Sequence, residues 1–496
     1  MTTGSKRLQC LIPIVAAFSL AGCAGTHPMM PTPVLYTGPR PRPLFTDVHA
    51  DARRPPLDLL FVTDRAPARS ADQPEPYTAD RSRSVAFGST TILFGEGLTW
   101  DTLVTQSLAP RRATSLDLKL GPTQELGRFP SIPYEVTETA GGVTRTPTVI
   151  AAHERASQGL QAEVARRLAL SPRKEVVLFV HGYHNTFEDA ATTMGELCHF
   201  LGREFVCGIF SWPAGGSRGI LAGYNVDYES SVFASEHLRK TIRTIAQTPG
   251  LERIHLLAHS RGTAVLVTAL SDLNMEAYMQ HSSLAQRYKI GNVVLMAPDI
   301  DADVAVAKMF KVRSDPDVPY GSAPDPRMVF ERTPGFRVTV YVSPDDRALA
   351  ASSWLFGSLA RLGRLDTAML TPGQIEDVRR LGDVDVIQVR GRTDLFGHSY
   401  FTSKPEVSAD LIAMLRYGLR PNEPGRPLEE IERPFWRVPA TVSTPTSERV
   451  LGQPPSGRTS GFDPVADAGA ASAGARPSAC PAGPLAAPPA APRSRG

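Results

Sequence analysis

The chain has 496 residues, a formal net charge of +3, 42% hydrophobic residues and 21% charged residues. This length leaves room for one large domain with appendages, and the composition excludes a wholly disordered or fibrous protein. Removing the first 22 residues would take away Lys6 and Arg7 and no acid, which leaves a nearly neutral chain. A neutral chain gives no electrostatic reason to expect a nucleic acid as its partner.

Residues 1–22 are predicted to be an export signal. Two basic residues precede an apolar run, Leu11 to Leu20, that is too short to span a bilayer as a helix. The run leads into Leu20-Ala21-Gly22-Cys23, which resembles the lipobox of bacterial lipoproteins. The resemblance implies cleavage before Cys23 and acylation there with fatty acids such as palmitate, which would anchor the chain in a membrane. It predicts a lipid-anchored protein of the bacterial cell envelope. Ala24 follows the cysteine, and because some organisms retain lipoproteins by an Asp at that position, its absence favours the outer membrane, on the periplasmic side or at the surface. An ordinary cleaved signal with a chance cysteine is the alternative.

The segments on either side of the central region are predicted to be unfolded. Residues 23–56 are rich in proline and show little apolar periodicity, so we expect a semi-rigid tether. Residues 439–496 are rich in Pro, Ala, Gly and Ser and are predicted to form a disordered tail. The folded domain is predicted to cover residues 57–430, with N-terminal strands over 57–150 and a catalytic core over 151–418.

Short apolar runs alternate with longer amphipathic stretches through this domain. Strands are predicted at Leu57–Thr63, Val85–Phe94, Glu175–Val180, Val206–Trp212, Arg253–Ala258, Val293–Ala297, Arg337–Val342 and Val384–Val389. Helices are predicted at Ala156–Leu170, Phe187–Leu201, Tyr224–Gln247, Arg261–Leu273 and near residues 303–310, 346–361 and 405–417. Strands of nearly continuous Val, Ile and Leu indicate a parallel sheet covered by helices, which is an α/β fold. In such folds ligands bind at the carboxyl ends of the strands.

The strand-to-helix turn at Ser260 contains the best candidate nucleophile. It reads Ala258-His259-Ser260-Arg261-Gly262. A serine on so tight a turn has a strained backbone, so the residues two positions before and after it must be small. The turn would present the hydroxyl above the sheet and aim the N-terminus of the next helix at a developing oxyanion. A serine that only caps the helix is the alternative.

The segment after Glu175–Val180 is predicted to be an oxyanion loop. It reads His181-Gly182-Tyr183-His184-Asn185, and its glycine would let the backbone approach a substrate. The amides of Tyr183 and Arg261 are the expected oxyanion donors. The two histidines of the loop could instead be hydrogen-bonded turn residues or a metal pair. Because no third ligand is evident, no metal is predicted. No cofactor is predicted either.

A nucleophilic serine requires a general base. His398 follows the last predicted strand and is the best candidate. His281 is the one other histidine after Ser260, and it lies in a helix-loop region that precedes the next strand. The order serine, acid, histidine along the chain is typical of hydrolases with this alternation of strands and helices.

The base in turn requires a carboxylate that orients it. Asp346, after Arg337–Val342, is the leading candidate, and Asp345 is next. Asp299 and Asp301 remain alternatives because some hydrolases place the acid one strand earlier. Their other predicted role is helix N-capping, which Asp303 could share.

Five cysteines are present, and two of them could pair within the domain. Cys10 lies in the export signal, Cys23 is the predicted lipid site and Cys480 lies in the tail. Cys198 and Cys207 are predicted at a helix end and in the next strand, where a disulfide and two buried free thiols are both compatible with the sequence.

The motifs occur in a characteristic order along the chain. They are Phe61-Val62-Thr63-Asp64-Arg65, Val180-His181-Gly182-Tyr183-His184-Asn185, Phe210-Ser211-Trp212-Pro213, Ala258-His259-Ser260-Arg261-Gly262, Ala297-Pro298-Asp299-Ile300-Asp301 and Asp346-Arg347-Ala348-Leu349. Together they resemble the α/β-hydrolase superfamily, in its bacterial esterase/lipase-like branch catalogued as a domain of unknown function. The resemblance covers about residues 57–418 and implies the α/β-hydrolase fold and a Ser-Asp-His hydrolase. It implies no particular substrate.

The expected function is that of a membrane-anchored serine hydrolase of the carboxylesterase or lipase type. It would cleave an ester, thioester or related acyl bond of a small-molecule or lipid substrate through an acyl-enzyme, with Ser260, His398 and Asp346 as the catalytic residues. Two alternatives remain open at this point. One is a non-catalytic binding or scaffold lipoprotein of the same fold, and the other is a peptidase of that fold.

Overall fold

The computed structural model describes residues 27–70, 73, 75–216, 220–316, 335–356, 360–392 and 395–439. The predicted export signal, Cys23 and the predicted tail after residue 439 lie outside the described residues, as do Cys10 and Cys480.

Most of the strands belong to one large sheet. The strands are β1 (His27–Pro28), β2 (Leu57–Pro67), β3 (Tyr77–Phe94), β4 (Asp117–Arg128), β5 (Val136–Thr139), β6 (Gly142–Arg145), β7 (Glu175–Val180), β8 (Val206–Ser211), β9 (Arg253–His259), β10 (Ile290–Met296), β11 (Arg337–Val342), β12 (Val384–Gln388), β13 (Glu429–Glu432) and β14 (Phe435–Arg437). The sheet has the order β1-β4-β3-β2-β8-β7-β9-β10-β11-β12-β14-β13, while β5 and β6 form a separate hairpin. In the part of this order that runs β2-β8-β7-β9-β10-β11-β12-β14, every pair of neighbouring strands is parallel. The pairs β1·β4, β4·β3, β3·β2 and β13·β14 are antiparallel.

Helices cover both faces of this sheet. They are α1 (Val34–Thr37), α2 (Trp100–Leu108), α3 (Pro147–Leu170), α4 (Phe187–Phe200), α5 (Ile220–Ala246), α6 (Gly262–Tyr278), α7 (Leu284–Tyr288), α8 (Ala302–Ser314), α9 (Arg347–Phe356), α10 (Pro372–Leu381), α11 (Tyr400–Ser403) and α12 (Pro405–Tyr417). Apolar residues of α3, α5 and α6 pack on one face, and those of α4 and α12 pack on the other. Among the helices of the described ranges, none is long and apolar enough to cross a membrane.

The central strands are apolar on both faces, as the sequence predicts. In β7, Val176 and Leu178 belong to the core on one side of the sheet, while Val177 and Phe179 belong to the core on the other. A strand buried on both faces needs a continuous apolar run rather than an alternating one. The prediction of an α/β fold with a mostly parallel sheet covered by helices is confirmed.

The structure corrects the predicted tether for the residues that it describes. From His27 onward the chain pairs with β4 and packs on the domain: Met29 and Tyr36 are buried, and the amide of Met30 donates to Glu196 Oε2 at 2.7 Å. Prolines leave most of this segment irregular apart from the short helix α1, but the apolar side chains between them supply enough buried surface to hold it in place. The sheet also extends past residue 430, to β14.

A disulfide joins the end of α4 to β8. Cys198 and Cys207 are bonded, with their Cα atoms 6.1 Å apart. Of the two alternatives that the sequence allows for these cysteines, the structure contains the disulfide. Because β8 leads directly to the candidate site, the bond ties the helix to one of the strands that support that site.

Candidate active site

Ser260 occupies a strained turn between β9 and α6. Its φ angle is +52°, in the left-handed region that residues other than glycine rarely adopt. The surrounding backbone holds this conformation: the Ser260 amide donates to Met296 O at 3.0 Å, and Ser260 O accepts from the Asp299 amide at 3.1 Å and from Thr263 Oγ1 at 2.6 Å. The turn therefore has the geometry that the small residues at positions 258 and 262 predict.

Two glycines allow the backbone segments around Ser260 to approach one another. A Cβ atom on Gly262 would lie 2.2 Å from His181 O, so a side chain there would push α6 away from the end of β7. A Cβ atom on Gly182 would lie 2.8 Å from the Cβ atom of Ser260. The loop after β7 therefore lies directly against the serine turn, as expected for an oxyanion loop.

The loop of residues 181–185, hereafter called the oxyanion loop after its predicted role, is held by hydrogen bonds within the loop and by a side chain of α5. The amide of Gly182 donates to Asn185 Oδ1 at 3.0 Å, which closes the turn. Asp227 of α5 accepts from the amides of His184 and Gly215 at 3.2 and 3.3 Å. Tyr183 follows Gly182 in this loop, and Arg261 is the N-cap of α6, directly after Ser260. The two residues predicted to supply oxyanion donors thus border the serine turn.

His181 is a neutral, fully buried part of this framework. Its Nδ1–H donates to Gly182 O at 3.0 Å, and its Nε2 accepts from the Trp212 amide at 3.0 Å. Burial, together with the positive charge of Arg65, lowers the pKa of His181 well below 6.5. With both ring nitrogens hydrogen-bonded, His181 has the role of a turn residue. The described residues contain no group of three or more His, Cys, Asp or Glu side chains arranged to hold a metal ion.

His398 and Asp346 form a close pair. His398 Nδ1 lies 2.7 Å from Asp346 Oδ2, and the Asp346 side chain is fully buried. The second carboxylate oxygen of Asp346 accepts from the Leu349 amide at 2.9 Å, so both oxygens are engaged. A carboxylate can only accept, so Nδ1 carries the proton and Nε2 is the basic nitrogen.

The His398 loop is fixed next to the serine turn. The ring of His398 packs against the ring of His259, which precedes Ser260, with centroids 4.7 Å apart. His259 Nε2 lies 3.3 Å from the carbonyl oxygen of His398. Burial lowers the pKa of His259 well below 6.5. His281, the other histidine considered from the sequence, lies in an exposed turn after α6.

The other candidate acids have different partners. Asp345 accepts from the amide of Gly391 at 2.8 Å and so links the acid loop to the segment after β12. Asp301 caps α8 by accepting from the amides of Asp303 and Val304. These contacts leave Asp346 as the acid that faces His398.

Asp299 supports the serine turn from a buried ion-pair network. Its carboxylate lies 3.3 Å from Arg261 Nη2 and 3.5 Å from Arg361 Nε, and it accepts from Ser352 Oγ at 2.7 Å. The Arg261 guanidinium also lies over the ring of Tyr228, 5.5 Å from its centroid. Asp299 therefore orients the side chain that follows the nucleophile.

Sequence reasoning assigned no role to Asp64 and Arg65, although it singled out the motif that contains them. Both are buried: Asp64 accepts from His237 Nδ1 at 2.9 Å, and Arg65 contacts the oxyanion loop. Burial raises the pKa of Asp64 and lowers that of Arg65 to about 10. One feature of the sequence indicates both residues: two charged residues directly follow the apolar run of β2. Charged side chains in a buried strand are costly unless they have specific partners.

Solved structures with some similarity to this chain include hydrolases and esterases. A predicted CIB-like hydrolase from Thermoplasma acidophilum has 13% identity and a TM-score of 0.26, over 50% of this chain and 88% of that one. An esterase from Pyrobaculum calidifontis has 13% identity and a TM-score of 0.25, over 55% and 93%. Esterase B from Lactobacillus rhamnosis has 13% identity and a TM-score of 0.21, over 38% and 60%. Similarity at this level gives no information on the site of this chain. No match was found among curated proteins.

The family comparison covers the region that forms the site. The model of the family described as alpha/beta hydrolase of unknown function (DUF900) matches residues 156–415, more than half of the chain. The match extends from α3 to α12 and includes the oxyanion loop, Ser260, Asp346 and His398. It confirms the resemblance seen in the sequence motifs. The chain belongs to this family of alpha/beta hydrolases of unknown function.

Proposed function

We propose that the protein is a serine hydrolase that cleaves an ester, thioester or related acyl bond, with Ser260, His398 and Asp346 as its catalytic residues. The observation that carries the proposal is the pair formed by His398 and the buried Asp346, whose Nδ1 and Oδ2 atoms are 2.7 Å apart, with the His398 ring packed on His259 next to the strained turn of Ser260. A strained serine and an oriented imidazole on neighbouring loops are the parts that nucleophilic acyl transfer requires.

In the acylation step, Ser260 Oγ attacks the acyl carbon and His398 Nε2 takes the hydroxyl proton. The carbonyl oxygen becomes an oxyanion, for which the amides of Tyr183 and Arg261 are the proposed donors. His398 then gives its proton to the leaving oxygen or sulfur as the bond to the acyl carbon breaks. Asp346 keeps Nδ1 protonated throughout and stabilises the imidazolium ion.

In the deacylation step, the same groups act on water. His398 Nε2 takes a proton from a water molecule as the oxygen of that water attacks the acyl carbon. His398 then gives the proton to Ser260 Oγ as the bond between Oγ and the acyl carbon breaks. The products are the carboxylic acid and the free enzyme, so the cycle balances without a cofactor. The dry surroundings of Asp346 favour this mechanism because a buried carboxylate interacts strongly with an imidazolium ion.

A fluorophosphonate probe tests the proposal, since it reacts with activated serines. We expect covalent labelling of the folded wild type, located to the peptide that contains Ser260 by mass spectrometry, and no labelling of Ser260→Ala. Ser353→Ala, on α9, is the matched control and should be labelled like the wild type. A folded wild type that is not labelled and hydrolyses no member of an ester and thioester panel would favour the scaffold alternative instead.

We also propose that the chain is exported and carries a lipid at Cys23. The lipobox-like sequence supports this proposal, and so does the Cys198–Cys207 disulfide, because disulfides persist mainly in oxidising compartments outside the cytosol. In bacterial cells fed an alkynyl fatty acid, we expect the wild type and Cys10→Ser to incorporate the label and Cys23→Ser to lose it. Equal incorporation in Cys23→Ser would exclude this lipid site.

A further inference from the structure

We propose that Arg65 is a positioning residue that holds the oxyanion loop in its active shape. The inference rests on the proposed hydrolase function and deepens it. Arg65 lies in β2, and it is 1% exposed although it carries a charge at neutral pH. A buried arginine is costly unless its donors are satisfied, so its contacts indicate what it does.

One edge of the Arg65 guanidinium contacts both ends of the oxyanion loop. Nη2 donates to Asn185 O at 2.7 Å and lies 3.3 Å from His181 Nε2. Between these two contacts lie Gly182, which approaches Ser260, and Tyr183, the proposed oxyanion donor. A shift of the guanidinium would therefore be transmitted to the residues whose position matters for the reaction.

The other nitrogen atoms of the Arg65 guanidinium bind to segments outside the oxyanion loop. Nε donates to Ser211 Oγ at 2.8 Å, and Nη1 donates to Ala214 O at 2.8 Å and to Thr78 O at 3.3 Å. These acceptors lie on β8, on the loop that follows it and on β3. A planar group with five donors in fixed directions can join these segments to the oxyanion loop, whereas an ammonium group cannot reach both sides at once.

All five acceptors of Arg65 are uncharged, so its role is not that of an ordinary ion pair. Its charge acts on its surroundings instead, and the low pKa of His181 is partly due to it. Oxyanion donors act on the transition state far more than on the bound substrate. Misplacement of the loop should therefore lower kcat while it leaves KM nearly unchanged.

The test compares Arg65→Lys with a buried arginine whose hydrogen bonds go to Asp410 and Leu419 and not to the oxyanion loop. Arg426 is also 1% exposed, and it pairs with Asp410 at 2.7 Å, so Arg426→Lys removes the same guanidinium in a structural setting. Kinetics are measured at a temperature where thermal melts show both variants folded. We expect kcat of Arg65→Lys to fall by about 10-fold to 100-fold with KM within about 3-fold, and kcat of Arg426→Lys to stay within about 2-fold.

A pair of inhibitors distinguishes a loss of oxyanion binding from a general loss of affinity for ligands. A trifluoromethyl ketone adds to the serine as a hemiketal oxyanion, whereas the methyl ketone with the same chain binds without this adduct. In Arg65→Lys the affinity for the trifluoromethyl ketone should fall by the same factor as kcat, with little change for the methyl ketone. Equal losses for both ketones, or an unchanged kcat, would overturn the inference.

A milder variant covers the case in which Arg65→Lys does not fold. Ser211→Ala removes the acceptor of Arg65 Nε, together with the 3.4 Å contact between Ser211 Oγ and His181 Nε2, and keeps the other acceptors of Arg65. We expect it to lower kcat by about 3-fold with the same selective loss of affinity for the trifluoromethyl ketone. No change in kcat or in the ketone ratio would overturn the inference. An active wild type with insensitive variants contradicts the role of Arg65 alone, whereas a wild type that neither hydrolyses esters nor reacts with the fluorophosphonate overturns the proposed function as well.

Discussion

Replacement of Ser260 by alanine, and of His398 by alanine, should each lower kcat by about 10⁶-fold, and the double variant should lose no more than either single one. The reason is that the two side chains act as a unit. Without the hydroxyl there is no nucleophile for the imidazole to activate, and without the imidazole the hydroxyl has no proton acceptor. The measurement is the rate of hydrolysis of an ester found in the panel, followed at high enzyme concentration.

The matched control for His398 is His281, which lies in an exposed turn. His281→Ala should keep wild-type kcat, and all variants should share the fold of the wild type by circular dichroism. Retention of more than about one hundredth of the activity in His398→Ala would contradict its role as the general base. Strictly multiplicative losses in the double variant would show that the two residues act independently.

The sequence predicts the central sheet well because burial on both faces produces a strong signal. The apolar runs that predict β7 and β11 have the bounds seen in the structure, Glu175–Val180 and Arg337–Val342. By contrast, β4 was missed because it is an antiparallel strand with mostly exposed or half-buried polar residues, such as Lys119 and Glu125. The exposed hairpin of β5 and β6 was missed for the same reason.

The N-terminal segment shows where composition misleads. Its many prolines suggest an unfolded spacer, but Met29 and Tyr36 pack on the domain next to α4. Such burial depends on a surface that residues far along the chain create. Local composition contains no information about that surface.

The candidate site could be predicted only in part from the sequence, because some of its features are local motifs and others depend on contacts between distant segments. The serine turn and the oxyanion loop are local motifs, so sequence alone indicates them, whereas the choice among four aspartates depends on which one meets His398 across the sheet edge. The role of Arg65 was out of reach because its acceptors come from segments up to 149 residues away. Only the fold brings these segments together.

Replacement of Asp346 by asparagine should lower kcat by about 10⁴-fold, although the two side chains are nearly equal in size. The Leu349 amide donates to Asp346 Oδ1 and requires an oxygen there, so the carboxamide of the variant would turn its NH₂ group toward His398 Nδ1. Nδ1 would then accept a hydrogen bond, and the proton would move to Nε2. An imidazole with a protonated Nε2 cannot take the proton of Ser260.

The neighbouring Asp345 provides the matched control for this variant. Its contact is with the amide of Gly391, which an asparagine oxygen can still accept, so Asp345→Asn should keep kcat within about 3-fold. Nitrogen NMR of the labelled His398 ring offers a readout apart from activity. It should show the Nδ1–H tautomer in the wild type and in Asp345→Asn, and the Nε2–H tautomer in Asp346→Asn. A greater loss in Asp345→Asn than in Asp346→Asn would transfer the role of the acid to Asp345.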